Sequence, residues 1–205
     1  METYDALLID AGTGNLHSVH NALLQLGFQV RVSCNPEDLN RPGRVVLPGV
    51  GAFGSFMQGL RERKLVEPLQ NAVRRGDAML GICVGMQALF ELSEEMGENA
   101  GLGLLTGKVV HFPQFTDRKV PHTGWNQLWF TEGNPLFRGL QPGAYAYFNH
   151  SFYCAASNLT DIAAKTDYGI DFCSAAQHQN LFGVQFHPEK SQRVGQHVLE
   201  NFFKA

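Results

Sequence analysis

Charge is scarce in this sequence and concentrated nowhere. Acidic and basic residues make up 17% of the 205 residues, sixteen basic against nineteen acidic, for a net charge of -3. No basic block stands out, which argues against nucleic acid or an anionic membrane as the main partner. Long apolar runs are missing as well. The longest, Ala78 to Phe90, is interrupted by Gln87 and is too short to span a bilayer. The opening residues, Met1-Glu2-Thr3-Tyr4-Asp5, lack the basic region and apolar stretch of a signal peptide, so the expectation is a cytoplasmic protein. Cysteine is rare. The four, at positions 34, 83, 154 and 173, form no C-x-x-C pair, and no histidine follows at zinc-ligand spacing. A metal site or a disulfide framework therefore has little support. In a reducing compartment each is a free thiol, and most such thiols simply pack as small hydrophobes.

What is present is a globular composition, 44% hydrophobic, with no repeat, low-complexity stretch or long linker. The length suits a single domain, residues 1–205, of α/β class. The first half alternates strands and helices. Tyr4 to Ile9 is a short apolar strand, and Asn15 is placed to cap a helix with Val19, Leu23, Leu24 and Leu26 inward and Gly27 as its stop. Phe28 to Val32 and Arg44 to Leu47 read as further strands, Leu65 to Arg75 as a helix closed by Gly76. Ala78 to Ile82 is a buried strand running into a helical stretch, Val84 to Leu92. This alternation predicts a doubly wound, mostly parallel open sheet. In the second half, 108–112, 144–148, 152–154, 161–166 and 172–177 read as short strands, an antiparallel extension of that sheet. A buried strand, Leu181 to Phe186, leads into a last helix that Ser191 can cap, with Val194, Val198, Leu199, Phe202 and Phe203 on one face. Two strand-to-helix junctions stand out, at Cys83 and after Phe186, and ligands of open α/β sheets bind at the carboxyl ends of strands.

Gly81-Ile82-Cys83-Val84-Gly85 has the form G-x-C-x-G, a cysteine version of the nucleophile elbow. Glycines two residues to either side permit a sharp turn that lifts the sulfur clear of the sheet. The helix that follows aims its N-terminus at the thiol, which favours thiolate. The plainer alternative is a buried cysteine between two packing glycines. A thiolate nucleophile usually works with a histidine held by a third group. Among eight histidines, His187 is followed by Pro188 and Glu189, a spacing that lets the carboxylate reach one ring nitrogen while the other faces sulfur. A loop histidine beside a solvated glutamate remains open, and spacing alone does not put the two junctions side by side. Pro48-Gly49-Val50-Gly51 ends a third buried strand. Its N–H groups could face a developing oxyanion, or it could be a plain tight turn. Gly12-Thr13-Gly14 is no dinucleotide fingerprint, because His17 stands at the third glycine position, and no G-K-[ST] phosphate loop occurs.

Three blocks in this order, Pro48-Gly49-Val50-Gly51, Gly81 to Gln87 and His187-Pro188-Glu189-Lys190-Ser191, resemble the class I (triad) glutamine amidotransferase family over nearly the whole chain. Further blocks are similar to its glutaminase subunits of imidazole glycerol phosphate synthase. These are Gly12 to Asn15, Val120-Pro121-His122-Thr123-Gly124-Trp125-Asn126, and Tyr147 to Phe152. Val84 stands where Leu is frequent, and Asn149 where an aliphatic residue is frequent. The resemblance implies a flavodoxin-like fold and a cysteine-dependent glutaminase, with Cys83 attacking L-glutamine, His187 shuttling the proton and Glu189 holding His187. It assigns the oxyanion hole to Gly49, Val50, Gly51 and the amide of Val84, and glutamine binding to Gln87, Ser151 and Phe152. Gly12, Asn15, Trp125, Asn126 and Lys190 are similar to residues that face a cyclase subunit folded as a (β/α)8 barrel. The ammonia would pass into that barrel for histidine biosynthesis. No metal or organic cofactor is implied. Within the same family, a different synthase as recipient, or a non-catalytic module of this fold, are the alternatives.

Overall fold

In the computed structural model, which describes residues 4–13, 15–41 and 43–205, the first half winds as the alternation requires. β1 (Ala6–Ile9) leads into α1 (Leu16–Gln25), then β2 (Val30–Ser33) and β3 (Arg44–Gly49). Two helices follow, α2 (Phe53–Glu62) and α3 (Val66–Arg75), before β4 (Ala78–Cys83) and the single turn α4 (Val84–Gln87). Gly76 closes α3 in the left-handed conformation at φ 103°. β2, β1, β3 and β4 lie side by side in that order, all parallel.

The second half contributes β5 (Phe90–Ser93), β6 (Asn99–Ala100), β7 (Leu105–His111) and β8 (His122–Phe130). After these come β9 (Ala144–His150), β10 (Phe152–Ala156), β11 (Ile162–Asp167) and β12 (Asp171–His178). The chain closes with β13 (Leu181–Val184) and α5 (Gln192–Lys204). β13 returns to the parallel half and pairs with β4, Val184 opposite Ile82. On its other side it begins the antiparallel extension, through β12 to β10 and β7. β11, β8 and β9 form a second antiparallel arm from β12.

Some local expectations differ from what forms. The helix expected over Val84 to Leu92 stops after one turn, and Phe90–Ser93 is strand β5, pairing parallel with β7. Tertiary pairing overrides helical propensity there. α2, which was not anticipated, fills the space after the 48–51 turn and buries Phe53, Phe56, Met57 and Leu60. On α1, Val19 and Leu23 face the core, whereas Leu24 lies exposed. Asn15 precedes α1 without a side-chain capping bond. Ser191 likewise does not cap α5: its hydroxyl donates to the His187 carbonyl at 2.6 Å and accepts from the Tyr147 N–H at 2.9 Å. No helix among the described residues is long and apolar enough to cross a membrane.

Candidate active site

The three central strands end together at one edge of the sheet. Gly49, the last residue of β3, is register partner of Cys83, the last of β4, and β13 delivers Phe186 and His187 beside them. This adjacency, open in the sequence, follows from β13 inserting next to β4.

Cys83 has φ 55° and ψ −112°, a backbone conformation that L residues adopt only under constraint. The constraint is visible in the glycines. A Cβ at Gly81 would come within 2.6 Å of the Gly85 carbonyl oxygen, and one at Gly85 would overlap the Leu47 carbonyl oxygen. A Cβ at Gly49 would lie 2.7 Å from the Gly85 nitrogen. The elbow and the end of β3 therefore touch backbone to backbone.

His187 is held at both ends of its peptide. Its N–H donates to the Tyr147 carbonyl at 2.9 Å, and its carbonyl accepts from the Ser191 hydroxyl. Its ring Nδ1 lies 3.0 Å from Glu189 Oε1, in a pair whose side chains are 5% and 1% exposed. Burial of the ring opposes its protonation. The Cys83 sulfur on one side and the Glu189 carboxylate on the other outweigh that cost and hold His187 up to about 10. With Nδ1 engaged by the carboxylate, Nε2 is the atom left for the sulfur, and a cation in that position favours thiolate chemistry.

A cavity of about 470 Å³ opens over this edge. Cys83, Val84 and His187 line it together with Val50 and Gly51 from the turn after β3, and with Gln87, Ser151 and Phe152. Gly51 sits at φ 90°. Asn15 and Lys190 line the same cavity, as do Asn149, His150 and Glu95. Glu95 Oε2 accepts from the Phe53 N–H at 2.6 Å, tying the cavity wall to the start of α2. Gln87 donates from Nε2 to the Phe152 carbonyl and to Gln185 Oε1, each at 3.0 Å. Gln185, unremarked in the sequence, donates to Cys83 Sγ at 3.7 Å.

The remaining candidates lie outside that cavity. Trp125 is 46% exposed and packs edge-on against Tyr147, whose ring also lies 5.8 Å from the Lys190 ammonium. Asn126, next along β8, turns to the other face and donates to the Asp167 carbonyl and toward His122. Gly12 adopts φ 82°, its N–H on the Asp10 carboxylate at 2.7 Å, while Gly14 of the same loop is outside the described residues. Of the other cysteines, Cys34 is exposed, and Cys154 and Cys173 face each other in the β10–β12 ladder, their thiols pushed up by burial.

The family profile of class I glutamine amidotransferases matches residues 7–205. The chain belongs to that family. Curated members with high similarity carry the name imidazole glycerol phosphate synthase subunit HisH. That of Sulfurimonas denitrificans is 46% identical over 200 residues, 96% of each chain. That of Moorella thermoacetica is 47% identical over 195 residues, covering 95% of this chain and 92% of its own. Solved structures share the amidotransferase fold at lower identity. One is a crystal structure described as glutamine amidotransferase, with TM-score 0.73, 19% identity and 97% of each chain covered. Another is PurLQS from Thermotoga maritima, with TM-score 0.74, 17% identity and the same coverage. Gln185 and Glu95 escaped the sequence reading for one reason: each lies far along the chain from the group it touches. The one hint for Gln185 was a carboxamide in the otherwise apolar run Leu181 to Phe186, of which only Leu181–Val184 forms strand and Gln185 follows its end.

Proposed function

We propose that this amidotransferase is the glutaminase subunit of an imidazole glycerol phosphate synthase. It hydrolyses L-glutamine to glutamate and ammonia and hands the ammonia to a cyclase subunit of (β/α)8-barrel form, in a cytoplasmic heterodimer. The cyclase then makes imidazole glycerol phosphate and aminoimidazole carboxamide ribotide in histidine biosynthesis. The observation that carries the reading is the strained Cys83 beside a His187 held by Glu189, at the floor of one cavity. The names of the relatives support the choice of synthase. The profile match over residues 7–205 and the continuous sheet support one amidotransferase domain.

In this reading Cys83 Sγ attacks the side-chain carboxamide carbon of glutamine, and the carbonyl oxygen takes the charge. N–H groups of Val84 and of the Gly49-Val50-Gly51 turn receive it. The C–N bond breaks as His187 Nε2 gives its proton to the departing ammonia, leaving a γ-glutamyl thioester. Water, deprotonated by His187, then attacks the thioester and frees glutamate, while Glu189 holds the ring through both steps. Gln87, Ser151 and Phe152 form the wall against which the substrate lies. Asn15 and Lys190 on the cavity, with Gly12 in the loop before Asn15 and Trp125 packed on the Tyr147 ring that Lys190 overlies, mark the side that meets the cyclase, and Asn126 next to Trp125 contributes from the other face of β8.

The test is product formation with purified cyclase subunit and its nucleotide substrate. Glutamine should support it with the wild-type chain, and free ammonium should support it with or without the chain. A chain that fails to make glutamine usable by this cyclase, yet hydrolyses glutamine alone, belongs to another synthase.

A further inference from the structure

Behind the cavity wall a line of hydrogen bonds runs from β8 to the Cys83 sulfur, and its direction can be worked out atom by atom. We infer that the Gln185 carboxamide is a catalytic hydrogen-bond donor to Cys83, and that His150 and His122 are positioning residues that hold the Phe152 carbonyl on which the orientation of that amide depends. The inference rests on Cys83 being the nucleophile of the proposed reaction and names a further group that acts on it.

The Phe152 carbonyl fixes the direction because it can only accept. It receives Gln87 Nε2 at 3.0 Å and His150 Nδ1 at 2.8 Å, so both nitrogens carry hydrogen. Gln87 Nε2 spends its second hydrogen on Gln185 Oε1. The Gln185 oxygen is thereby committed, and its NH2 end is the one that faces Cys83 Sγ. On the other side, burial holds His150 down to about 3 and His122 down to about 4, so each ring is neutral with one N–H and one lone pair. His150 Nε2 must then accept, and His122 Nδ1 donates to it at 3.1 Å. His122 Nε2 accepts from Asn126 Nδ2 at 3.3 Å. Asn126 is itself fixed, since its Oδ1 accepts from the Gln127 N–H at 2.8 Å. The assignments made from the two ends meet without a missing or surplus proton.

The members are sheltered from competing water: Gln185 is 0% exposed, Gln87 and His122 3%, His150 6%. In such surroundings a donor aimed at sulfur stabilises its anionic form, whereas the flipped amide would present an oxygen and repel it. The same donor serves again when sulfur leaves the thioester. Charged and titratable groups near the sulfur are His187, Glu189 and the buried Cys154 thiol, with His150, Glu95 and Lys190 lining the cavity.

The experiment follows alkylation of Cys83 by iodoacetamide in the full chain at neutral pH, read by peptide mass spectrometry, with exposed Cys34 as internal control. Gln185→Leu should slow Cys83 alkylation about tenfold, the scale of a hydrogen bond to a charged group, and leave Cys34 unchanged. His150→Leu should slow it by a smaller factor. His150→Asn places an amide nitrogen where Nδ1 stood and should recover most of that loss, whereas His150→Gln should not. In glutamine turnover with the cyclase the same variants should lower kcat and leave KM nearly unchanged. An unchanged Cys83 rate in folded Gln185→Leu overturns the inference, as does His150→Asn behaving like His150→Leu. Should Gln185→Leu fail to fold, the His150 variants decide alone. Alkylation needs no glutaminase activity, so an inactive wild-type chain would sink the proposed function and leave this test intact.

Discussion

The parallel and antiparallel halves of the sheet furnish the cavity in different ways. In the parallel half the critical features are backbone: Cys83 at φ 55°, and three glycines whose missing side chains let β3, β4 and α4 touch. In the antiparallel half they are side chains, an aromatic cluster around Phe112, Phe148 and Phe172 in which His122 and His150 sit. Where backbone makes the site, chemistry and fold share the same atoms. Where side chains make it, the two can be altered separately.

The contrast can be broken or sharpened by substitution. The largest effect is expected at Cys83→Ala, which removes the proposed nucleophile and leaves the backbone in place. Glutamine-dependent product should vanish while ammonium-dependent product persists, and residual glutamine hydrolysis near the wild-type rate would refute the assignment. Next, Gly85→Ala should damage fold and activity together, costing about 3 kcal/mol in a denaturant titration because the new methyl meets the fixed Leu47 carbonyl. A variant of full stability but low activity would show that backbone crowding is not what binds the two.

At the second junction, His187→Ala should lose nearly all thioester formation, and Glu189→Gln should lose less, because an orienting group is not the proton carrier. The pair also has a pH signature. His187 is raised in the folded chain from an ordinary value of 6.5 to about 10, so the stability it draws from Cys83 and Glu189 is fully present below about pH 6.5 and is lost as pH rises through about 10. The stability gap between wild type and Glu189→Gln should therefore narrow across that window in denaturant titrations. A gap that stays constant with pH would remove the charged pair from the account. The smallest effect on the isolated chain is expected at Trp125→Ala, on an exposed face of β8. Its unfolding midpoint should hardly move, while affinity for the cyclase in calorimetry should fall about tenfold, as for an aromatic interface anchor. Unaltered affinity would take Trp125 out of the interface.

The parallel half was the more legible in sequence, since apolar strands separated by helical stretches announce a parallel sheet, though not which strands lie side by side. The G-x-C-x-G elbow was readable because a glycine pattern around a cysteine has few other uses at a strand end. The over-long helix after Val84 was misjudged because nothing local says that Phe90 will pair with Leu105. α2 was hidden by Gly54 and Gly59, poor helix formers. At Gly59 a side chain would run into the Ala11 carbonyl, so that glycine answers to packing and not to propensity. Gln185 meets Cys83 across 102 residues of sequence, beyond any periodicity or spacing argument.

The contact between Gly49, Gly81 and Gly85 has an evolutionary consequence. Most crowded cores can exchange one bulky residue for another, because a neighbour can shrink to make room. Here each position meets main chain, the Gly85 nitrogen at 49, the Gly85 carbonyl at 81 and the Leu47 carbonyl at 85, which no codon change can trim even if the Phe56 ring beside position 49 were made smaller. Compensation is closed off, and in a library randomising positions 49, 81 and 85 together the survivors of selection for glutamine use should be glycine at all three. These sites would then show no covariation at all, a silence that reflects coupling through the main chain.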